Sequence, residues 1–173
     1  SDTVQVSFEN VRVPKENLLG QENEGFKQAL VVLDGGRVGI AALSVGLAQG
    51  ALDAAVKYAK ERRQFGKTLA EFQGVQFPLA DMATEIQAAR LLTYRAASAK
   101  AKGADITLIA AEAKYFASEV AQRAATAAVQ IHGGYGFIKE YPVEKYYRDV
   151  KLLTIGEGTS EVQKMVIARK ILQ

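Results

Sequence analysis

Four short segments of this 173-residue chain carry residue types that chemistry uses. The last, Ile155-Gly156-Glu157-Gly158-Thr159-Ser160-Glu161, sets one carboxylate between two glycines. Glycine admits close approach of a ligand and backbone angles closed to other residues. Glu157 is therefore the first candidate for a general base. It lies just before a predicted helix N-terminus, whose free N–H groups favour the ionised carboxylate. Burial against an apolar ligand acts the other way and raises the pKa toward the working range of a base. The plain alternative is a solvated loop glutamate.

The other three segments offer binding chemistry. In Glu61-Arg62-Arg63-Gln64-Phe65-Gly66-Lys67 two arginines follow a helix. A guanidinium can grip a diphosphate with two hydrogen bonds, or simply form a basic helix end. Asp34 and Arg37, three apart with Gly35 and Gly36 between them, share a helix face and suit an ion pair. In Gln130-Ile131-His132-Gly133-Gly134-Tyr135-Gly136-Phe137 the glycines let backbone amides reach a cofactor. They follow a helix rather than a strand, so the dinucleotide fingerprint is absent and a helix-ending loop is the alternative. His132 is the only histidine, which excludes a histidine cluster or a Ser/His triad within the chain. By itself it reads as structural or flanking. The absence of cysteine excludes disulfides and cysteine-based metal or redox chemistry.

These segments must be held by helices. Val4, Val6 and Phe8, then Val11 and Val13, alternate as in a strand. Pro14 ends it, and Lys15 to Glu24 is a polar loop. A first helix is predicted from Gly25 to about Arg63 on Phe26, Leu30, Leu33, Leu43, Leu47 and Tyr58. Gly35, Gly36 and Gly39 interrupt it, each at about 1 kcal/mol against alanine, so a close neighbour or ligand is expected there. Gly66 to Thr68 reads as a loop. Val75, Leu79, Met82, Ile86 and Ala89 mark a second helix over 72–102, with Gly103 as its stop and Asp105 as the next N-cap. Ile109, Ala113, Phe116, Val120, Ala124, Ala127 and Ile131 mark a third over 106–131. Pro142 opens a short helix through about Val150, and Thr154 to Gly158 is a loop. Ser160 with Gln163 has the capping-box form and starts the last helix. The fold class is all-α: an antiparallel up-and-down four-helix bundle with a short β remnant at the N-terminus.

No run of roughly 18 apolar residues occurs, so no membrane-spanning helix is predicted. The net charge of +3 comes with Glu61 set among Lys60, Arg62 and Arg63, unlike a nucleic-acid tail. It fits a pocket for a phosphate-bearing small molecule. The N-terminus reads as neither signal nor transit peptide but as a strand entered in mid-chain.

Taken together and in this order, Arg62-Arg63-Gln64-Phe65-Gly66-Lys67, Gln130 to Phe137 and Glu157-Gly158-Thr159-Ser160-Glu161 resemble the acyl-CoA dehydrogenase family, across essentially the whole chain. The resemblance implies residues 1–20 as a remnant of the family's middle β-domain and linker, and 21–173 as its C-terminal helical bundle domain. It implies an FAD-dependent oxidoreductase of fatty acid β-oxidation that converts acyl-CoA to trans-2-enoyl-CoA. In the short- and medium-chain branches Glu157 would take the α-proton while the β-hydrogen leaves as hydride to flavin. Gly158 would lie against substrate, and Thr159, Ser160 and Glu161 would contact flavin. Arg62 and Gln64 would hold the diphosphate and adenosine side, often across a subunit interface, with Phe72 and Gln73 nearby. Gln130, Ile131, His132, Gly133 and Gly134 would bind the FAD of a neighbouring subunit. Asp34, Gly35, Gly36, Arg37 and Arg169 match positions that contact the CoA part. No metal is implied. The implied partners are electron-transfer flavoprotein as acceptor and further copies in a homotetramer, a dimer of dimers. Neither nucleic acid nor membrane insertion is implied, and the compartment would be a bacterial cytoplasm or mitochondrial matrix.

Three departures stand out. Other branches place their base at the position of Gly36, which cannot act as one. Gly156 stands where many relatives carry tyrosine, and Phe72 replaces a histidine of some members. Lacking the N-terminal helical domain and most of the β-domain, the chain alone is expected to bind FAD weakly and turn over little. The rival readings are an acyl-CoA oxidase-type flavoenzyme and a non-catalytic helical oligomerisation module.

Overall fold

The computed structural model describes residues 4–173. Its elements are α1 (Gly25–Glu61), β1 (Arg63–Gln64), β2 (Lys67–Thr68), α2 (Gln73–Ala101), α3 (Thr107–His132), α4 (Val143–Asp149) and α5 (Ser160–Ile171). The predicted helices are found within two residues of their expected ends. The chain divides into two compact units at the Val32–Leu33 junction.

In the first unit the predicted strand is not formed. Residues 4–13 pair with no other strand among the described residues and are exposed throughout. A strand persists only where a neighbour takes up its N–H and C=O groups, and this unit offers none. Its loop is tied to its helix through Gln28, whose amide donates to the Leu19 carbonyl at 2.9 Å.

Among the described residues the strand pair lies elsewhere, where the sequence suggested a loop. β1 and β2 pair antiparallel with Arg63 opposite Thr68 and Gln64 opposite Lys67. The two connecting residues, Phe65 and Gly66, have φ of 51° and 83°. Positive φ at both positions is what a two-residue hairpin needs to follow the twist of its strands.

The second unit, Leu33 to Gln173, holds the bundle. Arg90 of α2 donates to Gln49 of α1 at 2.6 Å, and Lys100 lies against Gly35, so these helices run antiparallel. Arg123 of α3 pairs with Glu85 of α2 at 3.0 Å, and the short link between those helices reverses the chain again. Ser160 with Glu119, and Lys170 with Asp105, set α5 antiparallel to α3. The bundle is up-and-down, as predicted.

Alanine makes the seams. Ala110, Ala113, Ala117, Ala121, Ala124 and Ala128 of α3 are buried, as are Ala41, Ala48, Ala51, Ala55 and Ala59 of α1. Small side chains let helix axes approach closely, so the bulky residues move to the flanks. Ile109, Phe116 and Ile131 are only half-buried, while Phe26, Leu30 and Leu43 are exposed. Of the predicted stripes, Met82, Ile86 and Ala89 of α2 and Ala113, Val120 and Ala124 of α3 are buried. By length and composition α1 is also apolar enough to cross a membrane, over an 18-residue window of mean hydropathy 1.6. Its buried Arg37 and its alanines instead join the bundle core.

Two caps differ in detail. Thr159, not Ser160, caps α5 by accepting from the Val162 N–H at 3.3 Å. The Ser160 hydroxyl turns inward and donates to Glu119 at 2.6 Å. Asp105 accepts from the N–H and hydroxyl of Thr107 at 2.9 and 2.7 Å. Those bonds, with Lys170 beside them, hold its pKa down at about 2.

Candidate functional site

The turn before α5 is tightly built. Glu157 has φ 56° and Gly158 has φ 94°, two consecutive left-handed residues. For a glutamate this costs on the order of 1–3 kcal/mol and persists only where the surroundings dictate it. The surroundings here are two fully buried side chains. Gln163 donates through Nε2 to the carbonyls of Glu157 and Gly158, each at 3.0 Å. Lys114 of α3 donates through Nζ to the Gly158 carbonyl at 2.7 Å.

The half-buried Glu157 carboxylate lies against Gly36 of α1. A Cβ on Gly36 would fall 2.8 Å from the carboxylate carbon. This is the close neighbour the interrupted helix called for: any side chain at 36 would displace the acid. Gly35 has a similar reason, since a Cβ there would meet the Lys100 ammonium at 2.7 Å. Asp34 pairs with Arg37 and accepts from the Thr107 hydroxyl at 3.0 Å. Arg37 is buried, and its Nε has no partner among the described residues. The pairing of α5's last turn with Asp105 sets Arg169 near the same end, exposed to solvent. Thr159 is held as the cap, and Glu161 is exposed in the first turn of α5. Its own backbone N–H, then the Thr159 hydroxyl, hold the Glu161 carboxyl below the usual range.

A second cluster forms where α1 ends. His132 stacks on Tyr58 with ring centroids 4.2 Å apart, and Tyr141 meets both rings edge-on. The Arg62 guanidinium sits over Tyr135 at 5.2 Å. The His132 Nδ1 lies 2.8 Å from the Ala128 carbonyl, which fixes the tautomer with the proton on Nδ1. Burial pushes its pKa below the ordinary value despite that bond. Burial likewise raises that of Tyr58. Tyr58, Arg62, Gln64, His132, Gly134 and Tyr135 line a cleft of about 460 Å³. Its aromatic walls, its guanidinium and its open glycine backbone suit a planar ring joined to phosphate. Gln130 is exposed and Ile131 half-buried at the end of α3, and Gly133 (φ 60°) terminates that helix. Phe72 packs edge-on against Phe65, while Gln73 is exposed at the start of α2.

The sequence segments thus pair off. Asp34 to Arg37 meets Glu157 and Gly158, and Arg62 to Gln64 meets His132 to Tyr135. The two clusters stand well apart along α1, one inside its N-terminal half at Gly36 and one at its C-terminal end. Gly36 and Glu61 are 25 residues apart, or roughly 37 Å at 1.5 Å per residue. Lys114 and Gln163 were not anticipated as site residues. One signal was available: Lys114 falls on the Ala110, Ala117, Ala121 face of α3, where a charge has no business unless it is bonded.

The class of domain that the fold and site define is an antiparallel helical bundle carrying a glycine-flanked, internally held acid. Residues 23–172 match the family described as acyl-CoA dehydrogenase, C-terminal domain, and the chain belongs to that family. It is 57% identical over 173 residues to a probable acyl-CoA dehydrogenase, YngJ, of Bacillus subtilis, covering all of this chain and 46% of that protein. It is 54% identical over 171 residues to CarC of Acetobacterium woodii, a subunit of a caffeyl-CoA reductase–Etf complex, covering 99% and 45%. The solved butyryl-CoA dehydrogenase of Megasphaera elsdenii superposes with a TM-score of 0.95 at 53% identity, over 96% of this chain and 43% of that one. The chain therefore spans about half the length of the relatives it matches.

Proposed function

We propose that this chain is the C-terminal helical half of an FAD-dependent acyl-CoA dehydrogenase, with Glu157 as its base. The observation that carries this reading is the left-handed Glu157, held by buried donors and facing a helix glycine that leaves it room. One carboxylate oxygen takes the α-proton of the acyl thioester, and the electrons of that C–H bond become the new C=C bond. Bound flavin supplies the acceptor for the β-hydrogen and its electron pair. The Asp34–Arg37 pair and Arg169, at the Glu157 end, suit the CoA portion of the substrate.

Arg62, Gln64 and the Tyr58–His132 stack would hold the phosphate and adenosine side of FAD. At roughly 37 Å from Gly36, they serve a different cofactor molecule from the one beside their own Glu157. That supports assembly with further copies of the chain, in line with a homotetramer. Electron-transfer flavoprotein is the proposed acceptor, and a bacterial cytoplasm or mitochondrial matrix the proposed location.

A second reading concerns direction. CarC belongs to a reductase complex, and the same acid–base pair serves 2-enoyl-CoA reduction when Glu157 starts protonated. The deciding experiment is bleaching of flavin by butyryl-CoA in the full-length enzyme. Glu157→Gln should keep flavin and lose bleaching; a normal rate in that variant removes Glu157 from its role.

A further inference from the structure

Lys114 and Gln163 form a device that the base needs and that neither residue needs for itself. Both side chains are fully buried, one on α3 and one on α5. An ammonium in an alanine-lined interior is unfavourable unless it is bonded. Burial holds the Lys114 pKa below its ordinary value, with Arg37 adding to the effect and Glu119, Glu157 and Glu161 opposing it. Among the described residues no carboxylate pairs with it. What it does make is one short charge-assisted bond, to the carbonyl of the residue after the base. Gln163 spans the same turn, bonding two successive carbonyls with one amide nitrogen.

We propose that Lys114 and Gln163 are positioning residues that lock the Glu157–Gly158 turn in its left-handed form and so aim the Glu157 carboxylate at the space beside Gly36. The inference rests on the reading of Glu157 as base. The lock ties the turn to α3 and α5 together. Gly158 completes it, since any Cβ there would meet the Gln163 amide at 2.7 Å. The carboxylate itself takes no bond from the lock, so its oxygens stay available for substrate. Without the lock, the turn would relax toward commoner backbone angles and swing the acid away.

The test uses the flavin-loaded full-length enzyme and butyryl-CoA in a stopped-flow bleaching assay. Lys114→Met and Gln163→Met keep the volume and remove the donors. In each, the limiting rate per bound flavin should fall by about ten- to a hundredfold, because small misplacement of a reacting group has effects of that size. Flavin content and half-saturating butyryl-CoA should change by no more than about twofold. A merely structural pair would lower melting temperature and leave the limiting rate per bound flavin intact; that result overturns the proposal. If Lys114→Met does not fold, Gln163→Met decides alone, and failure of both to fold with flavin also overturns it. Glu157→Gln runs alongside. Normal bleaching there sinks the base assignment and this inference with it. A slow Glu157→Gln with normal methionine variants sinks this inference only.

Discussion

The two ends of α1 solve different problems. Toward Gly36, the turn and its neighbours are tied down by their own chain: Gln163 and Lys114 hold the turn, Glu119 holds Ser160, and Thr107 and Arg37 hold Asp34. At the Arg62 end, an aromatic stack forms one wall of an open cleft, and Gln64, Phe65, Gly133 and Gly134 face outward. Under the proposed function, a residue that must move a proton is fixed before substrate arrives, since catalytic groups tolerate little misplacement. A surface that receives a large ligand can stay unfinished until the ligand or another copy completes it.

The largest effect should separate the two ends by chemistry. In the full-length enzyme, Glu157→Gln should slow butyryl-CoA-driven bleaching by about 10²–10⁴-fold with flavin retained. Arg62→Ala should do the reverse, losing flavin on dialysis while bleaching per remaining flavin holds. If Arg62→Ala slows chemistry as much as Glu157→Gln, the division between the ends is wrong.

Backbone strain gives the next contrast. Gly158→Ala, at φ 94° and 2.7 Å from Gln163, should lower unfolding free energy in urea by about 1–3 kcal/mol. Gly134→Ala, with nothing within 4 Å of an added Cβ, should change it by less than about 0.5 kcal/mol. Equal losses would mean that the Glu157 turn is no more constrained than the cleft.

A pH dependence belongs to the aromatic end. The folded pKa of His132 lies below its unfolded value of 6.5, so the folded state resists the proton. The contribution is fully present above 6.5 and is lost as pH falls from there toward the folded pKa, at no more than about 1.4 kcal/mol per pH unit. Melting curves of the chain between pH 7 and pH 5 should show that decline, and His132→Asn should flatten it.

The smallest effect lies at the Asp34 end. Asp105→Ala should destabilise by about 1 kcal/mol, with Asp105→Asn nearly neutral. The Asp105 pKa is depressed from 3.8 to about 2. Its contribution is therefore present above 3.8 and lost only as pH falls toward 2, outside the range where His132 titrates. Acid titration of the two single variants would tell the two contributions apart.

The helices were legible because periodicity, Gly103, Asp105 and Pro142 are local signals, and they fell within two residues of the observed ends. The tight turn at Glu157 was legible from its flanking glycines. Residues 4–13 misled because strand pattern speaks of a preferred neighbour and cannot supply one. The α3 stripe was legible in part: Ala113, Val120 and Ala124 are buried, while Ile109, Phe116 and Ile131 pack only at the rim of the core.

Sequence by itself determined an all-α chain, the acid between its glycines, the arginine corner and the likeness to one family. Each follows from residue type and spacing along a few turns. Only the tertiary structure decided that Gly36 makes room for Glu157, that Lys114 and Gln163 grip the turn from two other helices, and that the two motif clusters stand a helix length apart. Those facts depend on residues tens of positions distant, brought together by packing that no local pattern encodes.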